Sequence, residues 1–211
     1  MQPFVRRQNI KLELEYQNPL NFQMLTELQL IKDCQQGIKS SQYELVKRYG
    51  GKLLSVARRY VPDQASAKDI LQESLIRIFA NIENYKSTGS FEGWMRTITV
   101  RCALSHLRKS HRSHEVEMTS SRSCNPLVNP EVFNTIGMEE LINLIQQLPN
   151  GFRSVFNLRE IEGHSHAEIA EILGITESTS RSQLTRAKKI LGKLWLKQQS
   201  TNAVKSRKVR S

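Results

Sequence analysis

Ten cations, Arg181, Arg186, Lys188, Lys189, Lys193, Lys197, Lys205, Arg207, Lys208 and Arg210, stand against the single carboxylate of Glu177 in the last thirty-six residues of this chain. Guanidinium and ammonium groups set along a helix neutralise phosphates. A second basic set, Arg96, Arg101, Arg108, Lys109 and Arg112 with His106 and His111, runs beside Trp94. Charge for phosphates next to flat rings for unstacked bases is the chemistry of single-stranded nucleic acid binding. A third set has the opposite sign: Asp69, Gln72 and Glu73 share one helix face, although like charges four residues apart are mildly unfavourable, which points to a basic protein partner.

Covalent chemistry finds no comparable support. Glu139 and Glu140 are adjacent, so on a helix they diverge by about 100° and form no acid/base pair. There is no phosphate-cradling glycine loop. Cys34, Cys102 and Cys124 are odd in number and lack C-x-x-C spacing, and His106, His111, His114, His164 and His166 form no H-E-x-x-H set. The expectation is a binding protein with free thiols, no metal, no cofactor, no small-molecule substrate and no catalysis of its own.

The elements that position the basic sets follow from local signals. Ser165 and Glu168 have the spacing of a capping box, in which each side chain satisfies a backbone N–H at a helix start. Ala167, Ile169, Ala170, Ile172 and Leu173 then recur at helical spacing, Gly174 turns the chain, and Thr176 caps the next helix. The apolar seam of that second helix is Leu184, Ala187, Ile190, Leu191 and Leu194. Two short helices joined by this turn form a helix-turn-helix, whose second helix enters the major groove of DNA.

Upstream, Thr26 caps a short helix that Gly37 closes. A longer helix runs from near Ser41 to Pro62, with Gly50 and Gly51 inside it at a cost of about 1 kcal/mol each relative to Ala. Ile70, Leu71, Leu75, Ile78, Phe79 and Ile82 trace the buried face of a third helix. After the loop Asn84 to Ser90, a fourth carries the stripe Phe91, Trp94, Met95, Ile98, Cys102 and Leu107. Later helices are expected over Met138 to Leu148 and Phe152 to Ile161. With no β pattern, the fold is all-α: two small helical domains joined by a flexible linker. The boundaries are an extension over 1–24, a first domain 25–112, a Ser-, Asn- and Pro-rich linker 113–136, a helix-turn-helix domain 137–197 and a basic tail 198–211.

The net charge of +11 over 211 residues calls for an acidic partner, nucleic acid before membrane. No apolar run approaches the roughly 20 residues that span a bilayer, and the first residues lack an apolar signal core, so a cytoplasmic location without membrane insertion is expected.

Three segments, DILQESLIRIFANI, GSFEGWMRTITVRCALSHLRK and LPNGFRSVFNLREIEGHSHAEIAEILGITESTSRSQLTRAKKIL, resemble in this order regions 2 and 4 of bacterial RNA polymerase sigma factors. The short linker has no room for the additional helical domain of larger members, so the resemblance is to the extracytoplasmic-function group. It implies that Asp69, Gln72 and Glu73 dock on the clamp of the polymerase β′ subunit and that the second domain meets the β flap. It implies minus-ten recognition and melting by Asn84, Tyr85, Lys86, Ser87, Thr88 and Gly89 with Trp94, Arg96 and Arg101. Minus-thirty-five recognition falls to Thr179, Arg181, Ser182, Gln183 and Arg186, with Lys188 and Lys189 on phosphates. Promoter DNA and core polymerase are the implied partners, and an anti-sigma protein is a further one. Many relatives carry Asn and Asp where this chain has Arg101 and Ser105, and Val and Arg where it has Ser180 and Gln183. Two other readings compete: a helix-turn-helix regulator independent of polymerase, and a serine recombinase, which would require an α/β catalytic domain that residues 1–112 do not suggest.

Overall fold

The computed structural model describes residues 25–113 and 137–208, and every regular element among them is helical. The extension 1–24, the linker from 114 to 136 and residues 209–211, with Cys124 and His114, lie outside the described residues.

The first half contains four helices: α1 (Glu27–Gln35), α2 (Lys39–Arg58), α3 (Gln64–Asn81) and α4 (Phe91–Ser113). Thr26 caps α1 by accepting from the Gln29 N–H at 3.2 Å, and Gly37 leaves it in the left-handed region at φ 74°. Helix α2 starts two residues before the expected Ser41 and carries Gly50 and Gly51 in its interior. Asp63 caps α3 by accepting from the Ser66 N–H at 2.7 Å, and Ser90 caps α4 by accepting from Gly93 at 3.2 Å. The apolar stripes meet in a core of Leu30, Leu45, Leu53, Ile78, Phe91 and Met95, all fully buried. Each such side chain contributes about 1.5–3 kcal/mol.

The second half holds α5 (Met138–Gln146), α6 (Asn150–Phe156), α7 (His166–Leu173) and α8 (Glu177–Lys208). Three boundaries differ from expectation. Helix α5 ends at Gln146. The helix expected over Phe152 to Ile161 begins at Asn150 and widens over Asn157–Ile161 into a π-helical turn. Helix α8 runs through the expected tail to Lys208, because no Gly or Pro interrupts the chain after Gly192 and because Leu194 and Trp195 pack back on Leu144, Leu148 and Phe156. The Gln198 amide also donates to Glu140 at 2.7 Å.

The two halves pack on each other rather than standing apart. Val56, Ala57, Tyr60 and Val61 at the end of α2, with Ala103, Leu104 and Leu107 of α4, share one core with Val155, Leu158 and Ile169 of the second half. A helix leaves its last carbonyls without intrahelical partners and carries partial negative charge there. Side chains from the second half cap those at the end of α2. The Gln146 amide donates to the Arg58 carbonyl at 2.9 Å, Asn157 to that of Arg59 at 2.7 Å, and Arg153 to that of Tyr60 at 2.9 Å. Arg153 also donates to the carbonyls of Gln146 (2.8 Å) and Leu148 (2.7 Å), so one buried guanidinium ties three chain segments together. At the rim, Arg58 grips Glu139 through two 2.9 Å bonds.

Candidate nucleic-acid interface

The helix-turn-helix forms as its local signals require. Ser165 accepts from the Glu168 N–H at 3.2 Å while the Glu168 carboxylate accepts from the Ser165 N–H at 2.7 Å, closing the reciprocal cap. These bonds hold the Glu168 carboxyl below the usual range. Gly174 turns the chain at φ 68°, a left-handed conformation that strains residues bearing a Cβ. Thr176 then caps α8, accepting from the Thr179 N–H at 3.1 Å. His166 at the start of α7 contacts the buried Ser180 hydroxyl at 2.9 Å and so clamps the two helices. Burial first, then Arg159 and Arg181, pull this imidazole below its ordinary value.

On α8 the expected minus-thirty-five set divides. Arg181, Ser182 and Arg186 lie exposed, with Thr179 and Lys189 half-buried beside them. Arg181 is paired with Glu177 at 2.5 Å, a contact to an exposed group that phosphate can replace. Lys188 sits on the flank of this face, where it pairs with Glu160 at 3.0 Å. Gln183 points toward the first half: with Leu104, Leu107 and Arg108 of α4 and Asn150, Gly151 and Ser154 of α6 it lines a cleft of about 170 Å³ between the halves. Thr185 and Lys193, absent from the expected set, are exposed on α8 as Arg181, Ser182 and Arg186 are. The 100° advance per residue places both within reach of the face those three share, so helical phase was the signal that could have found them.

Of the expected minus-ten set, Asn84 to Gly89 lie in the segment before α4. Asn84 ends a 3-10 turn over Ile82–Asn84, and Lys86, Ser87, Thr88 and Gly89 are exposed. Ser87 takes φ 54°, a left-handed conformation unusual for a residue with a Cβ. The Tyr85 hydroxyl donates to the Gly89 carbonyl at 2.5 Å, closing the loop on itself. Tyr85, Phe91 and Trp94 form one aromatic cluster with centroids 5.0 to 5.7 Å apart, and Phe91 and Trp94 stack within 16° of parallel. Phe91 is fully buried whereas Tyr85 and Trp94 are half-buried. Arg101 is exposed on α4. Arg96 instead turns to the other half and pairs with Glu162 at 2.8 Å.

Asp69, Gln72 and Glu73 are all exposed on α3. Glu73 pairs with Arg77 at 2.6 Å, which offsets the repulsion from Asp69. Asp69, Glu73 and Arg77 face Ser105, His106 and Lys109 of α4 across a polar groove of about 260 Å³, and the neighbouring Ile76 is 65% exposed. No helix among the described residues is long and apolar enough to cross a membrane.

Residues 45–113 match Sigma-70 region 2, and residues 138–191 match Sigma-70, region 4. The chain is 30% identical over 182 residues to the ECF RNA polymerase sigma-E factor of Escherichia coli (strain K12), covering 80% of this chain and 94% of that protein. It is 28% identical over 176 residues to the RNA polymerase sigma-H factor of Pseudomonas aeruginosa, covering 78% and 91%. Among solved structures, CnrH in complex with the cytosolic domain of CnrY aligns with a TM-score of 0.43 at 20% identity, over 79% of this chain and 94% of that one. The sigma factor RpoE in complex with the anti-sigma factor NepR from Bartonella quintana aligns with a TM-score of 0.46 at 20% identity, over 72% and 95%.

Proposed function

The chain belongs to the sigma-70 family of bacterial RNA polymerase sigma factors, in its extracytoplasmic-function group, and from that membership we infer how its surfaces divide the work of starting transcription. It is a sigma factor that binds core polymerase and directs promoter-specific initiation. The observation that carries this reading is the pairing, in one chain, of a capped helix-turn-helix with a separate helical half that has an acidic, partly apolar face on α3 and a basic α4. A regulator that acts alone on duplex DNA has no use for the second of these.

The acidic face of Asp69, Gln72 and Glu73, with Ile76, docks on basic protein surface of the polymerase. Its exposed carboxylates keep their hydration until binding, and Ile76 adds apolar area where the charges set the register. The loop Asn84 to Gly89 receives an extruded base of the minus-ten strand. Extrusion costs a few kcal/mol, and contact with the accessible parts of Tyr85 and Trp94 and with the loop offsets part of it. Lys86 and Arg101 neutralise strand phosphates. Arg181, Ser182, Thr185 and Arg186 face the major groove of the minus-thirty-five duplex, with Thr179 at the helix start and Lys189 and Lys193 along the phosphates. Gln183 and Lys188 join them when their present neighbours release them. No residue here performs bond chemistry; the protein acts in the cytoplasm beside the polymerase, whose own site makes the RNA. An anti-sigma protein that covers these DNA-reading surfaces is a fitting further partner.

The test is run-off transcription with bacterial core polymerase, this protein and a genomic fragment library, with the starts sequenced. Discrete starts sharing two spaced upstream motifs are expected. DNA binding without any added start would replace this reading with that of a regulator acting alone.

A further inference from the structure

Helix α8 outlasts the domain it belongs to. The region 4 match ends at residue 191, whereas α8 continues to Lys208, an extension of about 25 Å at the helical rise per residue. The first part of this extension is held to the rest of the second half. Leu194 and Trp195 pack into its core, and the Gln198 amide donates to Glu140 of α5 at 2.7 Å. From Gln198 the helix carries on for about 15 Å more to Lys208. A helix of that length is marginal in water by itself. Here it propagates from a braced turn, which makes it an arm whose direction the domain sets.

After Glu177 the sequence of α8 holds no carboxylate. At about 100° per residue, Ser182, Arg186, Lys189, Lys193 and Lys197 fall within an arc of about 80°. The stripe therefore begins on the face that presents Arg186 and runs on to the extension, where Lys193 and Lys197 are exposed. Lys189, Lys193 and Lys197 stand four apart, a spacing at which like charges oppose helix formation. Three such cations in a row, followed by Lys205, Arg207 and Lys208 on the same helix, suit a polyanion laid along it. Two features select duplex DNA among polyanions. The stripe belongs to the same rigid element as the major-groove face, so the seating of Arg186 fixes where Lys197 lies. Between those two residues the helix rises about 16 Å, more than the roughly 12 Å width of the major groove, so it leaves the groove and crosses the phosphate edge there. Single strands are the poorer fit, because the sequence from Leu196 to Lys208 has no aromatic ring on which a base could stack.

We propose that α8 beyond Lys193 is a second, sequence-independent DNA-binding site. Lys197 meets phosphates at the edge of the groove, and Lys205, Arg207 and Lys208 meet those of the duplex flanking the minus-thirty-five element. The placement rests on the reading of α8 as the major-groove helix. Cations on phosphates carry no base preference, so the arm adds affinity and salt dependence to promoter binding and leaves the choice of sequence to the residues nearer the start of α8.

The experiment compares wild type, K197Q/K205Q/R207Q/K208Q and R207Q/K208Q, all as full chains, by fluorescence anisotropy over a range of salt and without polymerase. The probes are a duplex carrying a minus-thirty-five element from the transcription assay, a duplex of equal length and unrelated sequence, and one strand of the latter. Glutamine is nearly as good a helix former as lysine, and circular dichroism reports whether each variant keeps its helices. Each phosphate contact contributes about 0.9 to the slope of log affinity against log salt. The fourfold variant therefore lowers the slope by about two to four, weakens both duplexes at least tenfold at low salt, and keeps the wild-type ratio between them. R207Q/K208Q lowers the slope by about one to two and decides the matter if the fourfold variant loses helicity. A helical variant with unchanged slope and affinity overturns the proposal. So does a loss confined to the duplex with the element, a loss equally large on the single strand, or a wild type that does not bind the unrelated duplex at low salt. The unrelated duplex needs no promoter, and starts with core polymerase are scored separately. Loss of the sigma reading and loss of the arm thus give different results.

Discussion

Replacing Arg153 with Ala tests how firmly the second half is fastened to the first. The guanidinium is 4% exposed as a residue and donates to three carbonyl oxygens, those of Tyr60, Gln146 and Leu148, at 2.7–2.9 Å. Burial draws it below its usual value, with no carboxylate opposing the shift. Truncation strands three acceptors, at about 1 kcal/mol each at the low end of the range for an unsatisfied buried group. Relief from burying the charge offsets part of this, and lost packing of the side-chain stem adds to it, so the expected destabilisation is about 3 kcal/mol. At a urea dependence of about 2 kcal/mol per molar, the midpoint falls by roughly 1.5 M. The chain has two tryptophans, Trp94 in the first half and Trp195 in the second, so W94F and W195F backgrounds report each half separately. Because one bond reaches Tyr60, the R153A change should lower both transitions, the Trp195 transition more. A shift below about 0.5 M at Trp195 would refute the three-carbonyl argument. A Trp94 transition that does not move would refute the fastening of one half to the other.

Four further outcomes are expected. The D69K/E73K variant should bind core polymerase at least tenfold more weakly in a pull-down while keeping its helicity, and undiminished binding would remove α3 as the docking face. R186A should weaken promoter duplex binding and reduce the salt slope, log affinity against log salt, by about one; an unchanged slope would take Arg186 off the phosphates. Cys34 is 2% exposed, and burial, with Asp33 adding to it, raises its thiol to about 11. In a C102A/C124S background it should therefore resist an aromatic disulfide reagent until the protein unfolds, and rapid labelling of the native chain would contradict its burial. His166 binds its proton more weakly folded than unfolded, since burial and two arginines depress it. Its stabilising contribution is present above about pH 6.5 and lost as pH falls below that. Between about pH 7 and about pH 5.5 the wild-type melting temperature should fall more than that of H166Q, and parallel curves would refute the clamp.

Much of the site could be read along the chain because the signals are local. The caps at Thr26, Ser90, Ser165 and Thr176 and the left-handed exits at Gly37 and Gly174 each involve residues within a few positions of one another. A helix places its side chains by phase, so the exposure of Asp69, Gln72 and Glu73 on one face and of Arg181, Ser182 and Arg186 on another follows from spacing. Phase also accounts for Thr185, which motif reading passed over, and for Lys193, which it had read only as one of the basic residues. Gln183 and Lys188 were harder to place. They lie at the flanks of α8, where the neighbours decide which way a side chain is used, and those neighbours are Gly151 and Glu160.

The order of two all-helical halves, the helix-turn-helix and the sign of each surface were determined by the sequence alone, since hydrophobic period, capping and charge act over one or two turns. Tertiary structure alone decided that the halves pack together. The partners in that contact are far apart in the chain: Arg59 and Glu162 by 103 residues, Asn157 and the Arg59 carbonyl by 98, Arg153 and the Tyr60 carbonyl by 93. Each is unremarkable in its own neighbourhood. An arginine, a glutamate and an asparagine on helix surfaces read as solvated groups until a second surface removes the water, and only then does Arg96, expected on DNA, become the partner of Glu162.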